Sequence, residues 1–299
     1  VNISVEKAFA AYENGTPIPE IAEHFADAVE KGFRESPQVD LESLSDYEQM
    51  KSKLSMEVVS AEKNAELIES VPHERMEDMA VVYRFVLDQM DSGNGTILVT
   101  NQLLEQYGIN KEQLRVDAME NAPEIRPFEI RGMSEVMSEL APGMIPEVAP
   151  EDEKMFVATV PDKIHGADVI AYPNFMEDAA QKMGGDFFVL PSSIHEVLLV
   201  KDNGQMTAKE LENMVKEVNA TQVEPADQLT DHIYHYDSQN HIFELTDKYE
   251  ERQREAEHDA VDKDSVLGDL KEKKQEIAKK DPAKDAAAKA ATKKHETSL

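Results

Sequence analysis

Met79–Leu87 is the stretch that most constrains the fold. Met79, Val81, Tyr83, Phe85 and Leu87 alternate onto one face, while Ala80, Val82 and Val86 fall on the other. Successive side chains of a strand point to opposite faces, so apolar residues on both sides require cover on both sides. The stretch therefore reads as a central strand. Asp91-Ser92-Gly93-Asn94-Gly95 follows as a turn cluster, and Thr96–Thr100 reads as the return strand of a hairpin.

Helical periodicity and strand alternation share the rest of the body. Thr16 and Pro17 open a helix with Ile21, Ala22, Phe25, Ala28 and Val29 on one face, and Gly32 is placed to close it. Tyr47, Met50 and Leu54 are spaced as a second helix. Asn110 with Gln113 resembles a capping box for a helix to about Asn121. Beyond Pro142, Pro146 and Pro150, strands are expected at Met155–Val160, Ala167–Tyr172, Phe187–Leu190 and Val197–Val200. Asn174 with Glu177, and Thr207 with Glu210, mark two further helix starts. Ile233–Tyr236 and Ile242–Leu245 form a last hairpin. The pattern predicts an α+β fold of mixed, mostly antiparallel sheets with flanking helices. The body spans 1–248, divisible at 1–145 and 152–248, and 249–299 forms a charged helical or disordered tail.

Charge narrows the partners. The formal net charge is −30, from 31 basic and 61 acidic side chains. The segment Asp262–Leu299 holds 10 lysines against 8 acids, so the other 261 residues carry the whole excess. Such a body repels phosphate backbones, because nucleic-acid affinity comes largely from counterion release to cationic side chains. No nucleic-acid partner is expected, and a protein partner meeting an acidic surface is. The absence of cysteine excludes disulfides, thiolate nucleophiles and cysteine-ligated zinc. No apolar run approaches the ~20 residues that span a bilayer, and no signal peptide is visible after Val1. The expected setting is cytoplasmic.

The runs Pro72-His73, Met79-Ala80-Val81-Val82-Tyr83, Ile97-Leu98-Val99-Thr100-Asn101 and Ala118-Met119-Glu120-Asn121 resemble an uncharacterised domain family of Gram-positive gut bacteria, of clostridial type. Gly166-Ala167, Tyr172-Pro173, Gly185-Asp186-Phe187-Phe188, Leu190-Pro191-Ser192-Ser193 and His195-Glu196-Val197 extend the resemblance, as do Val218-Asn219 and Gln222-Val223. It covers Val1 to Leu245, with a fainter similarity to YtpQ-type proteins. The resemblance implies a bacterial cytoplasmic setting and no particular mechanism. It also implies a further N-terminal stretch of strand and helix, so that Val1 stands partway into such a domain.

Ser192, Ser193, His195 and Glu196 form the densest polar group beside an expected strand end. A serine nucleophile needs a histidine in reach and a third group to orient it, and no G-x-S-x-G elbow surrounds these serines. They are assigned as binding residues, with no catalytic residue and no cofactor expected. Pro191 should end its strand because it cannot donate to the ladder. His232, His235 and His241 would point apart in the last hairpin, so no metal is expected. Asp88, Asp91 and Asn94 read as hairpin residues, since the ligand order of a calcium loop is missing. Two functions stay open: a non-enzymatic protein-binding or adaptor protein, or a hydrolase-like enzyme with its site near Pro191–Glu196.

Overall fold

The computed structural model describes residues 5–34, 44–90, 93–144, 148–149, 152–258, 270–271 and 273. Contacts divide the chain into two units, Val1–Glu244 and Leu245–Leu299. In the second, residues 246–258 are helical; most of the expected tail lies outside the described residues. Deletion of residues 259–299 is expected to change stability by less than ~0.5 kcal/mol, because their sequence supplies few apolar side chains to bury. A melting curve of the shortened chain checks this.

The first unit holds two sheets. The four-stranded sheet contains β1 (Leu54–Ser60), β2 (His73–Met76), β3 (Met79–Met90) and β4 (Gly93–Leu98). Antiparallel pairing joins β3 to β1 over Met79–Phe85, to β2 over Met79–Val82 and to β4 between Arg84 and Met90. The apolar run is thus a central strand, as its two-sided pattern requires. The six-stranded sheet runs β10-β9-β7-β8-β6-β5. These strands are β5 (Glu129–Gly132), β6 (Met155–Thr159), β7 (Phe187–Leu190), β8 (Val197–Lys201), β9 (Tyr234–Asp237) and β10 (Ile242–Leu245). The architecture is α+β, with antiparallel sheets and flanking helices.

One face of the first sheet buries Val59, Ala80 and Val82 against Ile68 and Val71 of the segment between β1 and β2. Its other face carries Met56, Val58, Tyr83 and Phe85, and helix Lys111–Ile125 packs on β1 with Leu114, Ala118 and Ala122 buried. In the second sheet Phe188, Leu190 and Val200 pack with Leu211 and Val215 of helix Ala208–Thr221. That helix opens with the expected reciprocal box between Thr207 and Glu210.

Several local expectations are corrected. Leu54 begins a strand, because Ser55 and Glu57 occupy alternate inward positions and hide its alternation. The first long helix, Ile18–Arg34, runs through Gly32. Thr100 caps helix Asn101–Tyr107, its hydroxyl accepting from Leu103 N–H, and does not extend β4. Helix Lys111–Ile125 continues past Asn121 with Pro123 inside it. Asn174 sits at φ 64° and makes no side-chain cap. Residues Asp91 and Ser92 of the expected turn lie outside the described residues, and β4 begins at Gly93.

The largest correction concerns Ala167–Tyr172, which forms a 3-10 helix, Gly166–Ala171, and no strand. The segment passes so close to β6 that a Cβ on Gly166 would sit 2.0 Å from Thr159 Oγ1 and 2.3 Å from His195 O. Only glycine fits this approach. Its apolar residues are buried by crossing the core, so their alternation never required a ladder partner.

Candidate functional site

Pro191 ends β7 as expected, and the loop beyond it is strapped on two sides. Ser192 O accepts from Leu229 N–H at 3.2 Å, and Ile194 N–H donates to Asp227 O at 2.8 Å. On the other side Ile194 O accepts from Ala167 N–H at 3.1 Å, and His195 O accepts from the Thr159 hydroxyl at 2.8 Å. Ser193 is buried, and its Oγ accepts from the backbone N–H of His195 at 3.0 Å. This is a local serine turn, which engages the hydroxyl without the imidazole. Ser192 is half-buried and Glu196 exposed. The structure therefore places these four residues on one loop but turns them toward different neighbours.

The His195 ring looks elsewhere. Its Nδ1 accepts from His165 N–H at 3.3 Å, and its Nε2 lies 3.7 Å from Asp227 Oδ2. The His165 and His195 rings meet edge to face with centroids 5.9 Å apart. His165 precedes the 3-10 helix at φ 51°, a left-handed conformation that a non-glycine residue adopts at some cost. Both rings keep more than a third of their surface exposed.

His165 leads into a cleft of about 190 Å³ lined also by Ser55, Glu57, Arg84, Arg126 and Asp168. These residues come from β1, β3, the end of helix Lys111–Ile125 and the 3-10 helix. Arg84 pairs with Glu57 through Nε, and Glu57 Oε1 lies 3.7 Å from His165 Nδ1, beyond hydrogen-bond reach. Arg126 Nη2 donates to Asp162 Oδ1 at 3.0 Å and to Ile164 O, while its Nη1 stands 3.6 Å from Asp168 Oδ2. Asp168 Oδ1 accepts from Val58 N–H at 2.8 Å, so one buried carboxyl ties the 3-10 helix to β1.

Burial sets the proton affinities. It pushes the Asp168 carboxyl up to about 8, outweighing the opposite pull of the Val58 N–H, Arg126 and Arg84. His165 moves down to about 4, through burial first and then through His195, Arg126 and Arg84. Burial also lowers Arg84. At neutral pH the cleft thus holds a neutral imidazole beside a carboxyl inclined to keep its proton.

The sequence reading found His195 but missed Glu57, Arg84, Arg126, His165, Asp168 and Asp227. A signal existed: Arg84 interrupts an otherwise apolar strand, and Glu57 and Asp168 sit inside buried runs. Charged side chains rarely bury unless paired, so each marked a partner to be sought. The three histidines of the last hairpin region lie on separate carboxylates: His232 with Glu212 at 3.8 Å, His235 with Asp202 at 3.0 Å and His241 with Glu177 at 3.5 Å. Among the described residues no group of three or more histidine and carboxylate side chains could hold a metal ion. Also among the described residues, no helix is long and apolar enough to cross a membrane.

The chain matches no curated protein and no solved structure. Residues 1–238 match the model of a family of unknown function, DUF5688, and the chain belongs to that family.

Proposed function

We propose that the protein acts by binding, as a non-enzymatic adaptor whose acidic surface meets a protein partner around His195, Glu196 and Asp227. The setting consistent with this reading is the cytoplasm of Gram-positive gut bacteria of clostridial type, with YtpQ-type proteins as fainter relations. The observation that carries it is the use of Ser193. Its hydroxyl is engaged by the backbone of its own turn, while the neighbouring imidazole stays partly exposed, accepts from His165 N–H and has Asp227 3.7 Å from its Nε2. Loops fixed to a rigid scaffold commonly carry recognition, and this loop is fixed on both sides. Replacing His195 and Glu196 together by alanine is expected to leave the melting temperature unchanged and to abolish capture of the partner from extracts of the native host. Undiminished capture overturns the assignment.

A hydrolase-like enzyme is the second reading, favoured by the opposed proton affinities of Asp168 and His165. Neighbouring acids and bases pushed apart in this way are a signature of acid–base chemistry. Under that reading Asp168 donates a proton and His165 accepts one within the cleft. Turnover of ester or amide substrates that is lost in both Asp168→Asn and His165→Gln would favour it over binding.

A further inference from the structure

The opposite face of the first sheet carries a second cavity, of about 210 Å³, with a different chemistry. Met56 of β1 stands across from Tyr83 of β3, Met76 comes from β2, and Met119 comes from helix Lys111–Ile125. Val81 and Ala171 complete an apolar wall. Methionine is flexible and polarisable, which suits a surface that must adapt to a ligand as readily as to a neighbour. One buried polar group interrupts this wall. Tyr83 is fully buried, and its hydroxyl finds no hydrogen-bond partner among the described residues. Buried phenols nearly always have one, because leaving the group unpaired costs its hydration.

The phenol carries a proton to donate. Burial, then Glu74 and Glu112 against the opposing Arg115, raises its proton affinity far above the ordinary tyrosine value, so it stays protonated and can donate to an acceptor. The rim supplies charge: Arg75 and Arg115 face one carboxylate, Glu74. Arg115 Nε lies 3.2 Å from Glu74 Oε1, and its Nη1 lies 3.0 Å from Met119 Sδ. The cavity's own lining thus holds two arginines against one carboxylate, with Arg115 paired to Glu74, in a chain whose net charge is −30. An apolar pocket with a few placed polar groups is the usual form of a small-molecule site.

We infer that this cavity binds a small aliphatic monocarboxylate, with its chain among Met56, Met76 and Met119 and its carboxylate accepting from the Tyr83 hydroxyl beside Arg115. The site lies across the sheet from the polar cleft and does not depend on the function proposed above. Its occupant is selected by three features together: length by the methionines, an acceptor by the phenol, and negative charge by the arginines.

The test uses the full chain labelled at its methionine methyls and titrated with hexanoate, followed by NMR. Saturable shifts of Met56, Met76 and Met119 are expected, with hexylamine binding at least tenfold more weakly. Tyr83→Phe keeps the ring and removes the acceptor's partner, so it is expected to weaken hexanoate about tenfold, the size of one hydrogen bond to a charged group. Without ligand the same variant should melt at or above the wild-type temperature, because an unpaired hydroxyl has been removed. Arg115→Gln should weaken hexanoate while leaving hexanol unchanged. Absence of saturable shifts, equal binding of hexylamine, or full affinity in Tyr83→Phe overturns the proposal. A lower melting temperature in Tyr83→Phe also overturns it, since the phenol would then already have a structural partner.

Discussion

Val82→Asp is expected to abolish the cooperative thermal transition, or to lower stability by at least ~3–5 kcal/mol. Val82 is fully buried in β3, flanked by β1 and β2, and packs with Val59, Ala80, Ile68 and Val71. A carboxylate there loses its hydration, and its cross-strand neighbour on β2, His73, already has its Nδ1 on Val71 O. Position 82 also pairs directly with Glu57, itself buried and engaged with Arg84. Two like charges opposite one another on a sheet repel, and the new one would compete for Arg84. Val82→Thr, which is similar in shape and uncharged, should cost much less, so that the gap between the two variants measures the charge. Circular dichroism melts of both variants decide it. A melting temperature for Val82→Asp close to that of the wild type would mean that position 82 is not held in a packed central strand.

The legibility of this strand in the sequence has a simple cause. Its two faces are apolar without a break over the five residues Met79–Tyr83 and resume after Arg84, and no helical arrangement covers both. Phe187–Leu190 and Val197–Lys201 were legible for the same reason, and the Thr207–Glu210 box because it is wholly local. Leu54–Ser60 was not, because its inward Ser55 and Glu57 read as solvent-facing until Arg84 and Tyr172 are brought beside them. The 3-10 helix at Gly166–Ala171 was hidden by a tertiary constraint: its path is fixed by Thr159 and His195, which no local pattern names. The candidate site fared likewise. His195 was visible as part of a polar loop, but its partners His165, Asp227 and Thr159 lie 30 to 36 positions away, and the cleft beyond His165 assembles only when β1, β3 and the 3-10 helix meet.

Asp168 offers the second large effect and a pH signature. Its carboxyl is the acceptor for Val58 N–H and stands against Arg126, whose side chain is only 12% exposed. Asp168→Ala leaves the buried Val58 N–H without its acceptor and removes one of the carboxyls beside Arg126, which keeps Asp162 and Ile164 O, and is expected to cost about 1–3 kcal/mol. Asp168→Asn keeps an amide oxygen for Val58 and is expected to cost about 1 kcal/mol or less. The pH dependence separates the carboxyl from its amide. Burial raises the Asp168 value from 3.8 to about 8 in the folded chain, so the folded state holds a proton that the unfolded state releases. The associated stability is fully present below about 4 and is lost as pH rises through about 8. His165 acts in the reverse sense: its value falls from 6.5 to about 4, so its contribution is present above 6.5 and is lost as pH falls through about 4. At pH 6.5 the unfolded His165 is still half protonated, a smaller opposing contribution that Asp168→Asn shares with the wild type, so the difference between the two chains reports Asp168. Wild type should therefore gain stability between pH 8 and pH 6.5, and Asp168→Asn should gain measurably less over the same interval. Urea unfolding of both chains at the two pH values provides the comparison. Equal gains would place the titration elsewhere and leave Asp168 as an ordinary ionised partner of Arg126.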